Sequence, residues 1–134
     1  MKALPPEAIK IIVDSLQASS SPLFNVLFLG LGGVVKNVAP TATAYYYRGS
    51  EFLAVYSNQW LKAEQDQKLI SEIDTLRNKL LPYTEGDYLG NPDRNLKDPL
   101  KTYYGGNVQR LIEIKAKYDP DGLFYYEQGI PVKK

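Results

Sequence analysis

The chain is expected to be an α+β protein, an antiparallel β-sheet covered by helices on one side. Three segments return apolar residues at helical spacing: Ala8 to Leu16, Leu69 to Leu80, and Val108 to Ile114. Between the first two lie apolar and aromatic runs of strand length, bounded by glycine and proline, at Leu23–Leu31 and Thr41–Trp60. The 134 residues suit a single domain, 1–134, with enough chain to bury a core. No internal repeat or low-complexity tract interrupts it.

Composition narrows the chemistry. The net charge is +1, which favours neither a nucleic acid nor an acidic membrane surface as partner. No apolar run approaches the roughly 20 residues of a membrane span. Pro5-Pro6 breaks the Met1-Lys2-Ala3-Leu4 start too early for a secretory signal, so a cytoplasmic address is the default expectation. Cysteine and histidine are both absent. That excludes disulfides, histidine triads, histidine-ligated zinc and histidine acid–base chemistry, and no metal site is expected. Carboxylate, lysine and tyrosine remain for proton transfer. Tyrosine occurs 11 times and supplies flat side chains with one polar end, suited either to a core or to a flat ligand.

Taken in order, Pro5-Pro6-Glu7 opens a helix, with proline in the first turn and an acid at its positive end. Ala8, Ile11, Ile12 and Leu16 form its buried side, with Ile9 and Val13 beside them, and Ser19-Ser20-Ser21-Pro22 breaks it. Leu23–Leu31 suits a central strand. Gly30-Leu31-Gly32-Gly33 lacks the third spaced glycine and the following helix of a dinucleotide loop, so a bulge or tight bend is expected there. Thr41–Arg48 and Glu51–Trp60 suggest a hairpin about Gly49-Ser50. Alternation would put Tyr45 and Tyr47 on one face and Tyr46 and Arg48 on the other. Glu64–Leu81 is the cleanest helix, with Leu69, Ile73, Leu76 and Leu80 in one stripe and Pro82 as its stop. Tyr83–Pro99 is loop, punctuated by Gly86, Gly90, Asn91-Pro92 and Asp98-Pro99.

The last third carries the most specific signal. Tyr103-Tyr104 precede a glycine pair, and Asn107 stands where a helix N-cap belongs. A helix follows with Val108, Leu111, Ile112 and Tyr118 on one stripe and Ile114 on the flank. Asp119-Pro120-Asp121-Gly122 ends it. Leu123-Phe124-Tyr125-Tyr126 is short and aromatic, and is expected to pack against that helix.

Tyr103, Tyr104, Gly105, Asn107, Arg110, Leu111, Lys115, Tyr118, Asp119, Pro120, Phe124, Gln128, Ile130 and Pro131 together resemble the C-terminal signature of the berberine bridge enzyme-like FAD-linked oxidases of the vanillyl-alcohol-oxidase superfamily. Val108 stands where that signature has an aromatic residue, and Gly129 where it has serine. Gly32-Gly33-Val34, Ala39-Pro40-Thr41-Ala42-Thr43-Ala44 and Arg48 resemble a second family segment, from the antiparallel sheet of its substrate domain; Tyr47 stands where the family often has histidine. Tyr88, Leu89 and Asp93 resemble a third, from which Gly90 and Asn91 depart.

The resemblance spans essentially the whole chain and implies part of a substrate domain over 1–82, then a BBE-type segment over 83–134. It implies FAD as cofactor and oxidation by hydride transfer to the flavin. Tyr103 would be the catalytic phenol beside flavin and substrate; Tyr103, Tyr104 and Asn107 would contact the cofactor, or fix the loop that does. Each also has a purely structural reading, as packing or as a helix cap. The family holds FAD mainly in an N-terminal domain of roughly 200 or more residues. The chain is therefore expected to be an incomplete piece, inactive alone and not retaining FAD unaided, whose partner is the FAD-binding domain or chain. Sheet edges left open would also favour a homodimer. A different class of function is a free-standing module that binds a small aromatic or sugar ligand on a tyrosine-lined face. RNA binding by sheet aromatics would want a basic patch that this composition lacks.

Overall fold

The computed structural model describes residues 3–132; Met1 and Lys2, read above as part of the opening turn, lie outside them. The residues group into two compact units, Met1–Leu31 with Ser50–Glu85 and Gly32–Gly49 with Gly86–Lys134.

In the first unit α1 (Pro6–Ala18) begins on proline with Glu7 in its first turn. It stops where Ser19 turns extended and returns its N–H to the Leu16 carbonyl at 3.4 Å. Strand β1 (Asn25–Gly30) pairs antiparallel with β2 (Phe52–Ser57), from Asn25 opposite Ser57 to Gly30 opposite Phe52. Helix α2 (Asp66–Leu80) follows a 3₁₀ turn, Ala63–Gln65, and runs into another, Leu81–Tyr83, that contains Pro82. The core gathers Ala8 and Ile12 of α1, Phe24, and Leu76 and Leu80 of α2, with Val26 and Tyr56 of the sheet packed on them. Burial of each leucine side chain contributes about 2 kcal/mol. Glu72 of α2 ties down the break after α1, accepting from Ser19 Oγ at 2.5 Å, Ser20 Oγ at 2.8 Å and Ser20 N at 3.3 Å.

Alternation along the strands turns one sheet face to the helices. Val26 and Tyr56 point to the core, and Leu27 and Leu29 to the other side, where both are exposed. Farther along the same face as Val26 and Tyr56, beyond the packed cluster, Phe28 meets Phe52 edge-on at 6.4 Å and both are exposed. The expected α+β class with helices on one side of an antiparallel sheet is what is found, although among the described residues the sheet has two strands. Ile9 and Val13, expected beside the buried stripe of α1, are exposed. No helix among the described residues is long and apolar enough to cross a membrane.

The expected hairpin about Gly49-Ser50 does not form: β2 pairs with β1, and residues 41–48 are not a strand. A strand there would need its carbonyls for a ladder. Those of Pro40, Thr43 and Ala44 instead accept from Asn107, and that of Tyr45 from Arg48. The bend expected after β1 is present. Gly33 turns at φ 58° into a 3₁₀ turn, Gly33–Asn37, rather than presenting a phosphate loop.

In the second unit a helix that the sequence reading did not anticipate, α3 (Pro99–Tyr104), starts at Asp98-Pro99. Asp98 caps it, its carboxylate accepting from Lys101 N at 3.1 Å, and Pro99 takes the first helical position. A 3₁₀ turn, Gly105–Asn107, leads into α4 (Val108–Tyr118). Asp119 ends α4 and holds the chain beyond it: its carboxylate accepts from Leu123 N at 2.8 Å and Phe124 N at 3.1 Å and pairs with Lys115. Lys115 also donates to the Phe124 carbonyl at 2.5 Å. These bonds fix the backbone and leave Leu123, Phe124 and Tyr125 more than 80% exposed, so the expected packing against α4 is absent. Tyr118, placed on the buried stripe by its spacing, is exposed as well.

Candidate functional site

The expected site residues sit together at the corner between α3 and α4. Tyr103 and Tyr104 end α3 and are both buried, their rings edge to face at 6.3 Å. Gly105 makes the corner at φ 51°, a conformation that favours glycine. The Tyr46 ring fills the space above it, such that a Cβ on Gly105 would lie 2.2 Å from that ring. Tyr47 occupies the equivalent position over Gly86 and donates its hydroxyl to the Lys101 carbonyl at 3.3 Å.

Asn107 occupies the position before α4 but makes no capping bond. Its backbone is already helical (φ −87°, ψ −6°), because the 3₁₀ turn runs straight into the helix, so the extended geometry of an N-cap is missing. Its side chain turns the other way. Nδ2 donates to the carbonyls of Pro40 at 2.8 Å, Thr43 at 3.0 Å and Ala44 at 3.4 Å, and the residue is 4% exposed. Arg110 adds a bond to the Thr41 carbonyl at 3.4 Å. Arg48 bonds Thr43 Oγ1 and the Tyr45 carbonyl, its guanidinium 5.1 Å above the Tyr45 ring. Asn107 is thus a latch for residues 40–44, not a helix cap.

Tyr103, 3% exposed, is held by Gln128 of the C-terminal signature and by Asp93 of the third matching segment, neither of which the resemblance gave a role. Its hydroxyl donates to Gln128 Oε1 at 2.8 Å and accepts from the Asp93 N–H at 3.1 Å. Burial pushes the phenol's pKa up, and Tyr126 with the Asp87 and Asp93 carboxylates adds to the rise against the Asp93 N–H bond. Burial also raises the Tyr104 phenol. Spacing alone carries no sign of the Tyr103–Gln128 contact, which joins residues 25 apart.

These bonds decide how well the three residues suit a flavin. An isoalloxazine ring is held by donors and acceptors aimed out of the protein. Here the Tyr103 proton goes to Gln128, and the two Asn107 amide protons go to backbone carbonyls. The space over the Gly105 corner is taken by Tyr46. The arrangement directs the Tyr103 and Asn107 donors into their own chain. It makes a firmly held corner.

Comparison with known proteins gives the frame for that corner. Residues 87–131 match the family model described as berberine and berberine like. YgaK, an uncharacterized FAD-linked oxidoreductase of Bacillus subtilis (strain 168), is 36% identical over 130 residues, 97% of this chain and 29% of its own. YvdP, another uncharacterized FAD-linked oxidoreductase of that organism, is 34% identical over 125 residues, 93% of this chain and 28% of its own. Among solved structures, a glycopeptide hexose oxidase complexed with teicoplanin superposes with a TM-score of 0.86 at 26% identity, over 96% of this chain and 30% of that one. This chain thus spans under a third of the length of these relatives. The family match over residues 87–131, the FAD-linked relatives and the shared fold agree: over nearly its whole length the chain is similar to a portion, under a third, of a berberine bridge enzyme-like FAD-linked oxidoreductase.

Proposed function

We propose that the chain forms the substrate-side portion of an FAD-dependent oxidoreductase, and that these residues neither retain FAD nor turn over substrate by themselves. In this reading Tyr103 is the phenol beside the reacting substrate, while Tyr104 and Asn107 shape the surface facing the flavin. FAD, when bound, is the hydride acceptor. The family match over residues 87–131 carries the first part of the reading, and the inward commitment of the Tyr103 and Asn107 donors supports the second. A buried phenol with a raised pKa, already donating its proton, is a poor base at neutral pH. It needs a neighbouring positive charge, or an opened contact, to serve as one.

The partner we propose is an FAD-binding domain or chain. In its absence, a second copy would associate through the edges of the two-stranded sheet or through the face a flavin would cover. Neither a nucleic acid nor a membrane is the proposed partner. Nothing in the geometry favours a free-standing ligand module, since the Tyr46 and Tyr47 rings rest on glycines of their own chain.

The test is the absorbance spectrum of the purified chain from about 300 to 550 nm, before and after FAD is added. A spectrum without flavin bands, unshifted on titration, is expected. Bands that co-purify or shift would overturn the reading. Light scattering at high concentration reads the association: a dimer is expected, and a monodisperse monomer argues against it.

A further inference from the structure

Gln128 lies in the Gln-Gly-Ile-Pro run, is buried, and has both ends of its amide engaged. Nε2 donates to the Asp93 carbonyl at 2.7 Å, while Oε1 accepts from Tyr103 at 2.8 Å and from Tyr126 at 3.3 Å. The Asp93 N–H, in turn, donates to the Tyr103 oxygen at 3.1 Å. The bonds therefore close a ring running one way, from Asp93 N–H to Tyr103, from Tyr103 to Gln128, and from Gln128 back to the Asp93 carbonyl. Tyr103 belongs to α3, Asp93 to the preceding loop, and Gln128 to the segment beyond α4.

Turning the amide over would set Oε1 against the Asp93 carbonyl, two acceptors face to face. It would also aim two N–H groups at the phenols. Tyr103 would then receive two N–H bonds and have no acceptor for its own proton, an arrangement that favours phenolate. The Asp93 carbonyl prevents this by fixing Nε2 on its own side.

We propose that Gln128 is a positioning residue that holds the Tyr103 hydroxyl as a hydrogen-bond donor, so that Tyr103 turns its hydroxyl to a ligand only once the Gln128 contact opens. The importance of this lock rests on reading Tyr103 as the substrate-side phenol; its existence does not. The groups facing the phenol are Tyr126 and the Asp87 and Asp93 carboxylates, all of which oppose its ionisation along with burial.

The experiment uses the full chain labelled with 13Cζ-tyrosine, with the Tyr103 resonance assigned by Tyr103→Phe. Gln128→Met keeps the volume and removes the acceptor, and Tyr103 is expected to titrate about 0.5–1 pH unit lower than in the parent chain. Gln128→Glu keeps an acceptor and adds negative charge, and is expected to move the titration up. Opposite movements support the lock. No movement in either variant, or a fall in both toward the ordinary tyrosine value, overturns it, because general loosening would move both the same way. Should either variant fail to fold, the parent chain decides. A slowly exchanging Tyr103 hydroxyl proton is expected, and its absence, with the Gln128 Nε2 protons close to the phenol oxygens, overturns the proposal. Flavin bands in the FAD titration would sink the proposed function and leave these readings untouched, so the two failures are distinguishable.

Discussion

Replacing Asn107 by aspartate separates two roles that look alike in sequence. As an N-cap, aspartate is as good as asparagine, and beside the positive end of α4 the change would cost a few tenths of a kcal/mol at most. As the latch on residues 40–44, the change removes the only donors the side chain has. Two amide protons serve the Pro40 and Thr43 carbonyls at 2.8 and 3.0 Å, with Ala44 at 3.4 Å sharing them. Two bonds at about 1 kcal/mol each give a loss near 2 kcal/mol, and a carboxylate facing carbonyl oxygens at these distances adds to it. We therefore expect Asn107→Asp to lose at least about 2 kcal/mol in urea denaturation followed by circular dichroism. Asn107→Ala should lose a similar amount or less. Hydrogen exchange should localise the effect, with faster exchange at the Ala42 and Arg48 amides, whose acceptors are the Ala39 and Tyr46 carbonyls. A loss below about 0.5 kcal/mol for Asn107→Asp would refute the latch and restore the cap.

Three further perturbations test other parts of the fold. Leu76→Ala should cost about 3 kcal/mol by denaturation, because Leu76 is fully buried between helices and sheet, whereas Val13→Ala at an exposed position of α1 should cost under about 1 kcal/mol. Gly105→Ala should destabilise by about 1–3 kcal/mol through its positive φ and its clash with Tyr46; adding Tyr46→Ala should relieve only the clash, so the double variant loses less than the sum of the single ones. At Glu72 burial pushes the carboxyl pKa up, but the bonds from Ser19 and Ser20 outweigh it and leave the pKa below its ordinary value. A carboxyl with a lowered folded pKa contributes stability above the unfolded value and loses it as pH falls through the folded one. The urea midpoint of the parent chain should therefore fall on acidification below the usual glutamate range more steeply than that of Glu72→Gln; parallel curves would refute the clamp.

The helices were legible wherever periodicity and stop signals agreed. α1 and α2 follow from apolar spacing bounded by Ser19–Pro22 and Pro82, and α4 from its stripe and Asp119-Pro120. What failed was whatever depended on long-range hydrogen bonds. Residues 41–48 carry strand-forming side chains, yet Asn107, 64 and 63 positions away, takes the carbonyls of Thr43 and Ala44, and no local pattern announces that. α3 was hidden because Asp98-Pro99 serves equally as a loop signal and as the start of a helix. Tyr118 and Leu123–Tyr125 have apolar character but end exposed, because the Asp119–Lys115 pair fixes the backbone around them. At the site, grouping Tyr103, Tyr104 and Asn107 was legible from the resemblance. The direction in which each points its hydrogens was not.

The interleaving of the two units bears on how the chain folds as it is made. Gly32–Gly49 leaves the ribosome well before any of Gly86–Lys134, to which it belongs. At roughly 5–20 residues per second, Tyr46 and Tyr47 wait several seconds for Gly105 and Gly86, which seat them. Met1–Leu31 waits in the same way for Ser50–Glu85, and its closure must loop out the intervening stretch. Contacts this distant in sequence slow folding and lengthen the exposure of Tyr45–Tyr47 to other chains. Synthesis of this protein should therefore be sensitive to translation rate and to chaperone supply chiefly while residues 50 to 107 are being added.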